Sequence, residues 1–194
     1  MTLSSEIRRA LFPISIAANK ADNQVHRCNE LKTEIEASGG KVVLTSAEAE
    51  LALSRASAAG MIERRPGDSK FDITPKGEET MNEQQRKALH SISESLTWEG
   101  GGLFGLLSEV VFGTLSRKVA YPVQDETHWA DGDGNTLPDA ILVPSGTTAK
   151  GLAFHVHTDL GQGFIRAVDA RTGRIIGSEY EIMDNDVIRI HSKS

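Results

Sequence analysis

Residues 13–44 limit the fold more than any other stretch of this chain. An apolar run, Pro13-Ile14-Ser15-Ile16-Ala17-Ala18, leads into the polar Asn19-Lys20-Ala21-Asp22. Val25, Cys28, Leu31, Lys32 and Ile35 then recur at helical spacing, Gly39-Gly40 supplies a stop, and Lys41-Val42-Val43-Leu44 is a second short apolar run. Strand, helix and strand with short links form the βαβ unit of a parallel sheet, whose crossover is almost always right-handed. Open sheets of this kind bind ligands at the carboxyl ends of their strands. Those ends are residues 19–22 and Thr45-Ser46-Ala47-Glu48, which parallel pairing puts side by side.

The residue types in these two loops match one class of ligand. Guanine presents N1–H and an exocyclic amine side by side, and an ionised carboxylate has two oxygens to receive both. Asp22 is placed for that task and is mismatched to adenine. Asn19 is placed to meet the acceptor edge of the base or to tie the loop together, and the methylene stem of Lys20 to lie over the ring. The backbone N–H of Ala47 is placed to donate to the guanine carbonyl oxygen. The simpler reading of the same four residues is a polar Asn/Asp turn that closes a strand.

Asn19-Lys20-Ala21-Asp22 followed by Ser46-Ala47-Glu48 resembles the P-loop GTPases, whose guanine motif is Asn-Lys-x-Asp and whose next base loop is Ser-Ala-Lys or a relative. Glu48 in the third position is typical of their Obg-like, YchF-type branch. Many members of that branch replace the guanine motif and prefer ATP, so the retained Lys20 and Asp22 favour GTP. The resemblance implies an α/β fold that holds GTP or GDP through Asn19, Lys20, Asp22, Ser46, Ala47 and Glu48. It also implies a magnesium ion, whose ligands are not among these residues.

No G-x-x-x-x-G-K-[ST] occurs in the 194 residues: Gly146 and Gly151 have the glycine spacing, but Leu152 stands where the lysine belongs. No Asp-x-x-Gly switch segment precedes residue 19 either. Without P-loop amides, their lysine and a magnesium ligand, the triphosphate is neither cradled nor neutralised. The chain alone is therefore expected to carry no catalytic residues and no significant GTPase turnover. The strand at residues 14–18 is expected to lack its inner neighbour, an open edge that invites local disorder, self-association or pairing with a missing N-terminal GTPase segment.

Farther along, residues 49–96 read as mostly helical, with Pro66-Gly67-Asp68-Ser69 as a break, and residues 3–11 read as a short helix ended by Pro13. Gly100-Gly101-Gly102-Leu103-Phe104-Gly105 matches the dinucleotide pattern, but helical rather than strand spacing precedes it, so that context fails. It reads as a flexible connector into a helix over residues 103–115 that buries Leu103, Leu107, Val110, Val111 and Leu115. Asp131-Gly132-Asp133-Gly134-Asn135 has Leu142 where a calcium loop needs its bidentate Glu, and so reads as a hairpin turn. His155 and His157 fall on a helix, where they point apart, which argues against a metal pair.

From Val119 on, short β segments and one helix resemble a β-grasp TGS domain. The carriers are Gly146-Thr147-Thr148-Ala149, His157-Thr158-Asp159-Leu160, Gly163-Phe164-Ile165-Arg166-Ala167 and Tyr180-Glu181-Ile182-Met183-Asp184-Asn185-Asp186-Val187-Ile188. The expected organisation is the C-terminal part of a GTPase domain at residues 1–48, a helical insertion at 49–99, the closing helix of the GTPase domain at 100–118 and a TGS domain at 119–194. The resemblance implies a translation-associated protein whose TGS domain meets the ribosome, structured RNA or a protein partner. A stand-alone, non-enzymatic TGS interaction module is the alternative. Residues 119–194 carry 6 basic and 11 acidic side chains, which weakens simple attraction to a phosphate backbone. The single cysteine, Cys28, allows no internal disulfide, and residues 1–9 lack the apolar core of a signal peptide. A cytoplasmic protein with no membrane partner is expected.

Overall fold

The structure is a computed structural model that describes residues 7, 11–65, 68, 70–95 and 101–193. It divides into two compact units, Met1–Thr114 and Leu115–Ser194. The helix expected at residues 3–11 falls almost wholly outside the described residues. Among them, no helix is long and apolar enough to cross a membrane.

In the first unit, strand β1 (Ser15–Ala18) is followed by helix α1 (Val25–Ala37) and strand β2 (Lys41–Leu44). The strands pair in parallel, Ser15 against Lys41 through Ala18 against Leu44, and so realise the βαβ unit. Gly39, at φ 82°, turns the chain out of α1 in the left-handed region that glycine enters without steric cost. Ala18, Ala21, Val42 and Leu44 are buried together, with Ile16, Cys28 and Ile35 packed against them.

Helix α2 (Ala47–Ala58) follows, capped by Ser46, whose Oγ accepts the Ala49 N–H at 3.2 Å. Strands β3 (Ile62–Glu63) and β4 (Asp72–Ile73) then form a short antiparallel hairpin, before α3 (Pro75–Thr80) and α4 (Glu83–Ser95). The stretch is mostly helical as expected, and the hairpin is an addition around the expected break at residues 66–69. Gly60, at φ 70°, ends α2, and the Thr74 hydroxyl donates to the Gly60 carbonyl while it caps α3, which folds the second arm back onto the first. Ala49, Leu53, Ile62, Met81 and Leu89 form a second core.

Helix α5 (Gly102–Ser108) continues as a π-helix over Glu109–Thr114 rather than as one α-helix. Leu103, Leu107 and Leu115, expected to be buried, are each about half exposed; the wider turn alters the register only beyond Ser108, and so only for Leu115 of the three. Gly113 leaves room for the Glu109 carboxylate, which would lie 2.6 Å from a Cβ there. The Thr114 hydroxyl shares a hydrogen bond of 2.9 Å with that of Ser15, tying the π-helix to the start of β1.

The second unit is a five-stranded mixed sheet in the order β6-β5-β9-β7-β8 with two short helices. The strands are β5 (Arg117–Val123), β6 (Ile141–Pro144), β7 (Phe164–Asp169), β8 (Arg174–Ile176) and β9 (Asp186–Ser192); α6 (Ala149–Val156) and α7 (Thr158–Gln162) lie between β6 and β7. β5 and β9 are parallel and central, and the remaining pairs are antiparallel. Thr148 caps α6, whose Leu152 and Ala153 are wholly buried. Leu152 joins Ala120, Val143, Ala149, Ala167, Ile176, Ile182 and Ile188 in one core. This is a β-grasp arrangement, and with the first unit it makes the chain α/β followed by α+β.

The Asp131 carboxylate accepts from the N–H groups of Asp133 and Asn135, closing a turn around Gly134 at φ 86°. His157 is extended between α6 and α7 instead of continuing the helix, and its Nδ1 accepts from the Asp159 N–H.

Candidate functional site

The two loops at the carboxyl ends of β1 and β2 are laced together by backbone. The Thr45 N–H donates to the Ala18 carbonyl at 3.0 Å, and the Ala21 N–H to the Thr45 carbonyl at 3.1 Å. Ala21 is completely buried, so the turn is anchored at its centre while Asn19 and Lys20 stay exposed. Lys20 has φ 64°, which throws its side chain to the outside of the turn and lets the Asn23 N–H reach the Lys20 carbonyl.

Asn19 ties the loops: its Oδ1 accepts the Ala47 N–H at 3.0 Å. Ser46 is buried as the α2 cap, and Glu48 is exposed in the first turn of α2, where its charge favours the helix dipole. Asp22 Oδ2 accepts from Asn23 Nδ2 at 2.9 Å. Its Oδ1 is buried and has no hydrogen-bond partner among the described residues. A buried acceptor left unsatisfied costs about 1–3 kcal/mol, so native structures keep few of them.

A cleft of about 900 Å³ opens beside these loops. Its wall is mostly apolar and includes Ala17, Asn19, Ser46, Leu51, Leu103 and Phe104. Lys20 and Asp22 lie outside that wall, so the cleft and the carboxylate are neighbouring features rather than one pocket. Arg64 and Glu50, also on the wall, pair at 2.9 Å; they are 14 residues apart with no periodic relation, and nothing in the sequence signals their meeting. Among the described residues no three His, Cys, Asp or Glu side chains converge to hold a metal ion.

In the second unit, His191 Nε2 is buried without a hydrogen-bond partner among the described residues, 4.0 Å from Glu126 Oε2, which Arg189 already engages at 3.1 Å. Burial, then the positive charges of Arg189 and Arg166, hold His191 below its ordinary value against the pull of Glu126.

Residues 17–125 match the family described as Obg-like GTPase YGR210-like, G4 motif-containing domain, and residues 134–192 match the TGS domain. An uncharacterized GTP-binding protein of Methanocaldococcus jannaschii is 42% identical over 193 residues, covering 99% of this chain and 48% of that protein. The crystal structure of a GTP binding protein from Pyrococcus horikoshii OT3 is similar at a TM-score of 0.69 and 37% identity, over 98% of this chain and 48% of that one. The chain spans about half the length of the relatives it matches.

Proposed function

Because the chain belongs to the Obg-like GTPase YGR210-like family and carries a TGS domain behind its G4 motif-containing domain, we propose that it is the guanine-reading part of a GTP-binding protein. The triphosphate, on this reading, is held by groups outside these 194 residues. The observation that carries the proposal is the buried, unpartnered Oδ1 of Asp22 at the end of a parallel β strand. With Oδ2 it offers two acceptors to the N1–H and amine of guanine, and adenine has no such donor pair. Lys20 supplies an aliphatic stem for the ring face, and Asn19 holds the two loops in register by accepting the Ala47 N–H, so that this donor closes the loop pair and does not stand free for the guanine carbonyl oxygen. Ser46 and Glu48 set the start of α2 behind that donor.

The phosphate-binding portion has a place to dock. Among the described residues β1 pairs on one side only, Ile14 ahead of it is 63% exposed, and the cleft beside the loops is apolar. With no P-loop sequence, this chain alone turns over no GTP. The TGS unit, whose core closes on itself, is the part assigned to docking on a ribosome, structured RNA or a protein partner in translation. Its acidic balance favours shape over phosphate attraction as the basis of that contact.

The test is a GDP and GTP titration of the chain, alone and joined to a P-loop-bearing portion of the Methanocaldococcus relative, with Asp22→Asn as control. Selective guanine binding lost in the control is expected. Failure of both nucleotides to bind even in the joined protein refutes the reading. Binding of a structured RNA or ribosome by the second unit, with no nucleotide bound at all, favours the stand-alone TGS module instead.

A further inference from the structure

We propose that Glu50 and Arg64 act as a positioning pair for the loop at residues 45–48, a reading that rests on the guanine site above. Glu50 lies in the first turn of α2, directly after the Ser46 cap and Ala47, whose N–H faces Asn19. Glu50 Oε2 accepts from Arg64 Nη1 at 2.9 Å, and Arg64 Nε donates to the Asp68 carbonyl at 2.6 Å. The two side chains are only 18% and 9% exposed.

The other carboxylate oxygen faces a different segment. A Cβ built on Gly102 would stand 2.5 Å from Glu50 Oε1, and Gly102 itself is at φ 75°. One carboxylate thus touches both the β3–β4 hairpin and the first residue of α5. Those two segments line the cleft together with Asn19, residues 45–47 and one side of α2. The glycine at position 102 is explained by this close approach rather than by a flexible connector.

Burying two charges costs desolvation that their attraction only partly returns, and apolar replacements of similar volume are often neutral for stability. The pair's contribution is then geometric. A fixed N···O contact fastens the first turn of α2 to the hairpin, and that turn carries the Ser46 cap and the Ala47 N–H. Glu50 touches neither Asn19 nor Asp22 and acts through the helix it sits on.

The experiment compares wild type with Glu50→Met/Arg64→Met, which removes both charges together, and with Arg64→Lys. Amide exchange at Ala47 and Ala21 is read against Leu53 in the buried middle of α2, and GDP affinity is measured in parallel. In the double variant, exchange at Ala47 and Ala21 is expected to rise roughly tenfold through local opening while Leu53 and the thermal midpoint hold. GDP affinity is expected to fall by a similar factor. A folded double variant with wild-type exchange at Ala47 and Ala21 overturns the proposal. Should the double variant not fold, Arg64→Lys decides: its single ammonium cannot reproduce the guanidinium's two directed contacts. Several-fold faster Ala47 exchange supports the pair, and wild-type exchange overturns it. If even the protein joined to the phosphate-binding portion binds no GDP but the exchange responds as stated, the guanine reading fails and the positioning role stands.

Discussion

Replacing Asp22 with alanine separates a turn-forming role from a ligand-binding one. In the free protein the carboxylate makes a single exposed hydrogen bond, from the adjacent Asn23 side chain, worth no more than about 1 kcal/mol. Its other oxygen is buried and unpartnered, a burden of about 1–3 kcal/mol that the substitution removes. Asp22→Ala is therefore expected to leave the nucleotide-free protein as stable as before, or more stable by up to about 2 kcal/mol. Binding should respond in the opposite way. Two hydrogen bonds to a charged acceptor contribute about 1.5–3 kcal/mol each, so GDP affinity should fall by at least about 3 kcal/mol, roughly 100-fold or more. Thermal unfolding without nucleotide and calorimetric titration of GDP against ADP, with the phosphate-binding portion present, measure both sides. A less stable variant that still binds GDP as wild type does would mean that Asp22 only closes the turn.

Three further outcomes follow from packing and charge. Leu152→Ala empties a wholly buried site in the second unit and should cost about 2–5 kcal/mol there in urea unfolding, with GDP binding unchanged. Gly77→Ala places a Cβ 2.1 Å from the Met61 carbonyl oxygen, a backbone clash; a loss of about 3 kcal/mol or more from the first unit is expected, despite alanine's better helix propensity. His191, held below 6.5 by burial and by Arg189 and Arg166, binds fewer protons folded than unfolded just under that value. Its contribution is complete above 6.5 and is lost as the pH falls through the lowered folded value, so urea midpoints followed by Trp129 fluorescence should drop on acidification and drop less in His191→Gln.

The βαβ unit was legible because its signals are local: two short apolar runs, a helical period between them and Gly39 to stop it. The β-grasp unit was legible from four segments that fall on the turn into α6, on α7, on β7 and on the turn into β9. The hairpin at β3 and β4 was not, because two-residue strands have no period to read, and their pairing depends on a Thr74 hydroxyl reaching Gly60. The helix after Gly102 was misread at Leu115 because the π-helical stretch before it moves every later side chain. At the site, the loop-tying role was one of two read for Asn19 and is the one its bond to Ala47 shows, while the Glu50 to Arg64 pair is a product of tertiary placement that spacing does not encode.

The place of β9 in its sheet has a consequence for synthesis. The last strand of the chain lies between β5 and β7, and β5 meets it through pairs such as Ala120 with Asp186, 66 positions apart. A hairpin of β5 and β6 alone is marginal in water. While the ribosome is still adding β9, the centre of the sheet is a gap lined by β5 and β7. The first unit's βαβ element can close as soon as Leu44 emerges. The second unit must wait for β9, so a stop codon before Asp186 would leave its sheet without a centre.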